Sequence, residues 1–181
     1  MYDDPVYKKD RIENTLAAIA KDSKFAENKL IAENLMKYLT RLRPGSAAPV
    51  FTLQDRNNKM VSLGDLKGKP VLIGFWTTYC QSCLSEMELL KPLYDKYHNR
   101  MTFVSISADK EYVKMLFFLN LQKDFTWAFL HLGNEVGLLR EYDVRSYPLF
   151  VLIDNEGKIV QYPADLPGSG LESSLEKLLN P

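Results

Sequence analysis

An unbroken apolar run, Val71-Leu72-Ile73-Gly74-Phe75-Trp76, is followed after only three residues by a Cys-x-x-Cys pair, Cys80 and Cys83. A run of six apolar residues without polar alternation is expected of a strand buried on both faces, which places it in the centre of an α/β sheet. Ser82 to His98 then reads as a helix, with Leu84, Met87, Leu90 and Tyr94 near one stripe. The chain must therefore fold as buried strand, short loop, helix, with both cysteines at the junction. In open α/β sheets the carboxyl ends of the strands are where functional groups collect.

The surrounding pattern supports that frame. Val50 to Leu53 reads as a strand, Asn57-Asn58 as a turn and Met60 to Leu63 as the returning strand. Met101 to Ser107, Trp127 to Leu132 and Leu149 to Ile153 read as further strands, alternating with helices over Glu111 to Gln122 and Glu135 to Tyr142. Asp154 to Gly157 is a turn, Lys158 to Tyr162 its return strand, and Ser169 with Glu172 has capping-box spacing ahead of a closing helix over Leu171, Leu175 and Leu178. Alternation predicts an α/β fold with parallel pairing, helices on both faces and antiparallel strands added by the closing hairpin.

Two helical patterns precede this module. Asp10 and Glu13 have capping-box spacing before Ile12, Leu16 and Ile19; Asp22-Ser23 caps a second stripe of Ile31, Leu35, Tyr38, Leu39 and Leu42, which Pro44-Gly45-Ser46 ends. They read as a structural helical hairpin, with a partner-binding surface as the alternative.

Several function classes are disfavoured. Lys+Arg and Asp+Glu are both 23, so there is no basic excess to attract nucleic acid. No apolar run approaches the ~20 residues of a membrane span. Met1-Tyr2-Asp3-Asp4-Pro5 carries acids where a secretory signal would carry basic residues, so no signal peptide is expected in this chain. The length, 181 residues, suits one domain with an appendage.

The cysteine spacing allows three readings: a redox dithiol, half a zinc site or coincidence. A helix N-terminus presents unpaired N–H groups and partial positive charge, which stabilise a thiolate there. Cys80, nearer the exposed end, is the expected attacking thiol, and Cys83, one turn further in, the resolving one. A zinc site would need His98 and His131 as well, which lie far apart in the sequence.

The chain resembles the TlpA/ResA-like thiol–disulfide oxidoreductases of the thioredoxin superfamily, an AhpC/TSA-related thioredoxin fold. The resemblance runs from Arg43 to the end. It rests on Gly45 to Leu53, Leu66-Lys67-Gly68-Lys69-Pro70-Val71-Leu72, Phe75-Trp76 through Cys83, Tyr142 to Pro148, and Leu149 to Asp154 followed by Gly157-Lys158-Ile159-Val160. It implies a thioredoxin-like domain over residues 44–181 behind a helical extension over 1–43, with a central mixed sheet and an N-terminal β-hairpin. It further implies catalytic Cys80, Cys83 and Glu86, a cis Pro148 beside the dithiol, and Trp76, Tyr147 and Pro148 as the substrate edge. No cofactor is implied beyond the dithiol. The expected partners are a cysteine-containing protein substrate and an upstream redox protein, in an extracytoplasmic location.

This sequence departs from the family at several positions. Gly74 stands where thioredoxin has a buried acid, which leaves Glu86 as the expected local acid. Gln81-Ser82 lies between the cysteines where Pro usually precedes the second. Glu88 replaces a helix-kinking Pro, a role Pro92 would take over. Two alternatives stay open: a thiol peroxidase of the peroxiredoxin type, since Thr77 stands three residues before Cys80 although Ile73 replaces that motif's Pro, and a non-catalytic binding module of an envelope protein.

Overall fold

A computed structural model of the chain describes residues 9–180, so the reading of Met1 to Pro5 lies outside it. Two compact units divide between Leu42 and Arg43.

The first unit is a helical hairpin, α1 (Lys9–Asp22) and α2 (Ala26–Thr40). Asp10 lies inside the first turn of α1 and is not its cap; a carboxylate there still complements the positive helix end. Ser23 instead serves the linking turn, its Oγ accepting the Phe25 N–H at 3.2 Å. Leu16, Ile19, Ile31, Ala32 and Leu35 line one cleft between the helices. Ile31, Leu35, Tyr38 and Leu39 nevertheless stay exposed, because two helices cannot enclose a core by themselves.

The second unit is a seven-stranded mixed sheet with helices. Its strands are β1 (Thr52–Asp55), β2 (Met60–Ser62), β3 (Val71–Trp76), β4 (Thr102–Ser107), β5 (Ala128–His131), β6 (Leu149–Ile153) and β7 (Ile159–Ala164), in the spatial order β2-β1-β5-β4-β3-β6-β7. Its helices are α3 (Gln81–Tyr97), α4 (Tyr112–Leu121), α5 (Gly137–Glu141) and α6 (Leu171–Leu179). Only β3–β4 and β4–β5 pair in parallel; β6 lies antiparallel to β3, and the opening hairpin closes the far edge through an antiparallel β1–β5 pair. The parallel part is thus smaller than simple alternation predicts, because the short α5 segment turns the chain back and it re-enters the sheet in the opposite sense.

All six residues of β3 are buried, as its unbroken apolar run requires. Each fully buried Val, Leu, Ile or Phe side chain contributes about 1.5–3 kcal/mol relative to exposure. Against one face of the sheet packs an aromatic cluster: Trp76 meets Phe118 and Phe129, and Phe125, Trp127 and Phe129 contact one another with ring centroids 5.1 to 6.3 Å apart. Phe125 and Trp127 are therefore core, while Asp124 before them and Thr126 between them stay exposed, and Trp127 Nε1 donates to the buried Ser105 hydroxyl at 2.9 Å.

The closing helix begins differently from its sequence signature. Its N-cap is Gly170 at φ 112°, a left-handed conformation that glycine adopts without a Cβ penalty, and no side chain caps it. Glu172 is drawn instead to Lys96 at 2.6 Å, across from α3.

Candidate active site

Register and capping place the two cysteines. β3 ends at Trp76, the loop Thr77-Thr78-Tyr79 turns, and Cys80 is the N-cap of α3 with extended backbone (φ −89°, ψ 97°). Its N–H donates to the Thr77 carbonyl at 3.2 Å, which closes the turn. Cys80 Sγ accepts the Cys83 N–H at 3.2 Å, taking the place that Ser or Asp oxygen takes at ordinary helix caps. The Ser82 hydroxyl lies 3.3 Å from the same sulfur. The cysteines are joined as a disulfide with Cα atoms 5.2 Å apart.

Their exposure differs. Cys80 is half-buried, whereas Cys83 is 1% exposed and belongs to the core cluster with Trp76, Met87 and Phe150. A partner approaching from solvent reaches the first sulfur and not the second.

The substrate-edge residues separate into two groups. The Tyr147–Pro148 peptide is cis. Phe75 pairs with Leu149, so Tyr147 and Pro148, just ahead of that pair, enter β6 at the end of β3 from which the Cys80 loop leaves. Tyr147 is half-buried, and burial, together with the neighbouring Tyr79 and Asp109, raises its phenol above the usual range. Trp76 lies elsewhere: it is 2% exposed, and its ring packs on Phe118 and Phe129 beneath the dithiol. This burial sets Trp76 in the same core cluster as Cys83.

Glu86 is half-buried on α3, one turn after Cys83. Its Oε2 accepts the Gly168 N–H at 2.9 Å, so the carboxylate ties α3 to the loop ahead of α6. A Cβ at Gly168 would lie 3.0 Å from Leu89 Cδ1 and 3.4 Å from both Glu86 oxygens, a close but yielding contact.

Glu86 is not the only acid near the dithiol. Asp109, 2% exposed and two residues beyond the end of β4, reaches the Cys80 loop. It accepts the Thr78 N–H at 3.0 Å and the Thr78 hydroxyl at 2.7 Å. Reading the sequence overlooked it because 31 residues separate the partners. The available signal was its place at the carboxyl end of a strand next to β3.

At position 74 the space for an acid is filled: a Cβ on Gly74 would lie 2.7 Å from Phe150 Cε1, the ring opposite it in the antiparallel pair. Pro92 lies inside α3, and Glu88 pairs with Lys91 one turn on.

The histidines of a zinc set are not gathered at the cysteines. His98 stands at the far end of the 17-residue α3, where Nδ1 is 3.1 Å from the Tyr94 and Asp95 carbonyls; at 1.5 Å per residue this is roughly 25 Å from Cys80. His131 Nε2 is 2.8 Å from the Asp109 carbonyl. The peroxidase motif fares no better. Thr77 is fully buried and its hydroxyl has no hydrogen-bond partner, so it is not turned to the Cys80 sulfur as peroxide activation would need.

Comparison with known proteins agrees with this geometry. Residues 44–162 match the AhpC/TSA family. The chain is 31% identical to the thiol-disulfide oxidoreductase ResA of Bacillus subtilis over 138 residues, 75% of this chain and 74% of that protein. It is 30% identical to the ResA of Bacillus thuringiensis over 143 residues, 77% and 78% of the two chains. Among solved structures, the thioredoxin domain of a thiol-disulfide oxidoreductase from Bacteroides vulgatus superposes with a TM-score of 0.70 at 32% identity, covering 77% of this chain and 99% of that one. A capped, half-exposed cysteine paired with a buried one, on this sheet and with these relatives, is a disulfide-exchange centre: the chain belongs to the AhpC/TSA family, as a ResA/TlpA-like thiol-disulfide oxidoreductase of the thioredoxin superfamily.

Proposed function

We propose that Cys80 attacks disulfides of cysteine-containing protein substrates and that Cys83 resolves the product. The observation carrying this assignment is the contrast in access, a half-buried sulfur at the helix N-cap against one that is 1% exposed. The Cys80 thiolate attacks one substrate sulfur, forming a mixed disulfide and releasing the other as a thiolate. Cys83 then loses its proton and attacks Cys80 Sγ, which re-forms the Cys80–Cys83 bond and releases the second substrate thiol. A dithiol redox partner resets the pair by the same exchange. The Cys83 N–H and the helix end favour the attacking thiolate.

In this reading Tyr147 and Pro148 form the edge along which the substrate lies, and Trp76 backs the site from the core. Residues 44–181 are the redox module, and residues 1–43 are an appendage to it. Extracytoplasmic placement follows from the resemblance to the TlpA/ResA-like proteins. No helix among the described residues is long and apolar enough to cross a membrane.

Glu86 is the proposed proton acceptor for Cys83. A carboxylate engaged through one oxygen keeps acceptor capacity on the other. Glu86→Gln preserves an acceptor for Gly168, so the fold persists, and resolution of the mixed disulfide slows by up to about 10²-fold. Quenched-flow trapping of the mixed disulfide reads that rate; an unchanged rate and unchanged pH profile would remove Glu86 from the mechanism.

The overall reading is tested by equilibrating the protein with glutathione and by comparing two turnovers, insulin reduction and peroxide consumption. A reversible dithiol couple and faster insulin reduction are expected. Rapid peroxide turnover with negligible insulin reduction would favour a peroxidase, and an inert pair a binding module.

A further inference from the structure

The Cys80 loop is held from behind by a carboxylate that the two-step exchange leaves unused. Asp109 Oδ1 and Oδ2 lie 3.2 and 3.0 Å from the Thr78 nitrogen, which donates. Oδ1 also accepts the Thr78 hydroxyl at 2.7 Å, and Oδ2 the Ser107 hydroxyl at 2.7 Å. The Asp109 carbonyl can only accept, so His131 carries its proton on Nε2 to meet it at 2.8 Å. Asp109 is thus fixed by β4 and β5 and grips the loop two residues ahead of the attacking cysteine.

The nature of the group matters as well as its bonds. An asparagine could accept the same N–H at a smaller desolvation cost, so what the aspartate adds is a buried charge against the loop two residues ahead of Cys80. The other charged or titratable groups facing Asp109 and the Cys80 loop are Tyr79 in the loop, Tyr147 ahead of β6, Glu86 on α3, His131 at the Asp109 carbonyl, Lys110 beside Asp109, and Lys114 of α4 with its partner Glu111 at that helix's N-cap. Lys114 and Glu111 are exposed and pair with each other, while Asp109 is buried.

We infer that Asp109 is the positioning residue of the dithiol: it locks the turn that presents Cys80 at the helix N-cap and sets a fixed negative charge behind that sulfur. The charge opposes the helix end, so Cys80 is less readily ionised than its cap position alone would make it, and the disulfide form is favoured accordingly. The inference rests on Cys80 being the attacking thiol.

The test is alkylation of reduced wild type, Asp109→Asn and Thr78→Val with iodoacetamide across a pH series, with modified sites mapped by mass spectrometry and thermal melts run in parallel. Removing the charge in Asp109→Asn should lower the midpoint of Cys80 alkylation by about one pH unit. It should also move the glutathione equilibrium toward reduced protein by roughly twofold or more. Thr78→Val keeps the carboxylate but removes a hydroxyl dipole that partly screens it, so its midpoint should rise by about half a unit. Opposite shifts are the signature, since a purely structural contact would lower both melting temperatures and leave both midpoints in place. Unmoved midpoints with Cys80 still modified first overturn the role of Asp109 alone. Modification of Cys83 first in wild type overturns the underlying assignment, and the inference with it. Should the D109N chain not fold, the Thr78→Val midpoint decides: a rise upholds the inference and no change ends it.

Discussion

Cys80→Ala is expected to abolish insulin reduction, lowering the rate by on the order of 10³-fold or more. The sequence contains no thiol besides Cys80 and Cys83, and the remaining Cys83 is 1% exposed. Cys83→Ala is expected to lose turnover just as completely but for a different reason. Its Cys80 still attacks, nothing resolves the product, and a mixed disulfide accumulates that non-reducing electrophoresis displays and added dithiol releases. The pair of outcomes discriminates because access, and not thiol count, distinguishes the two variants. A stable adduct on Cys80→Ala, or equal adducts on both, would reverse the assignment of roles. Both substitutions should leave the reduced fold intact: Cys80 sits at the surface end of α3, and Cys83→Ala removes only one buried sulfur atom, so any loss of stability is small beside the loss of activity.

The second large effect is expected at Gly74. Restoring the thioredoxin-like acid by Gly74→Asp should prevent folding, not improve proton transfer. Its Cβ would meet the Phe150 ring at 2.7 Å, in the middle of a strand whose six residues are all buried. Overpacking of that kind costs about 1–3 kcal/mol. A carboxylate buried there without a partner adds a further penalty of several kcal/mol. Together they consume much of the ~5–15 kcal/mol that stabilises an ordinary domain. Gly74→Ala carries the steric part alone and should unfold at lower denaturant concentration by an amount in that 1–3 kcal/mol range. Combining Gly74→Ala with Phe150→Leu relieves the contact, so the double variant should be more stable than the sum of the single losses predicts. Additive losses in that cycle would show that the two side chains do not compete for one space. The chemical consequence is that β3 supplies no acid at this position, and the acids proposed to act on the dithiol, Glu86 and Asp109, lie outside it.

Much of the architecture was legible because it depends on neighbours in the sequence. The run Val71 to Trp76 is uniformly apolar, and it is the strand buried along its whole length. The Cys-x-x-Cys pair follows a loop too short to form anything but a turn into a helix, and Cys80 is that helix's cap. The strands β4, β5 and β6 were visible for the same reason. Capping signatures were less secure, because a three-residue pattern has no veto over a distant competitor. Glu172 matches a capping box, yet Lys96 on another helix holds its carboxylate and Gly170 begins the helix without a side-chain cap. Asp10 likewise lies within its helix instead of starting it.

The active site divides along the same line. By itself the sequence determined the Cys-x-x-Cys pair and its position between a buried strand and a helix, since both follow from residues within one or two helical turns; the proposed order of attack rests on the same local pattern. Only the tertiary structure decided which other groups surround them. Sheet order sets Asp109 against Thr78 across 31 residues, while loop packing gives the Glu86 carboxylate to Gly168 across 82. The register of β3 against β6 fills the space above Gly74 with Phe150, and core packing buries Trp76 against Phe118 and Phe129. Charge and steric contact act over a few ångströms in space regardless of separation along the chain, so the residues that pack around the Cys80 loop become identifiable only once the strands are set side by side.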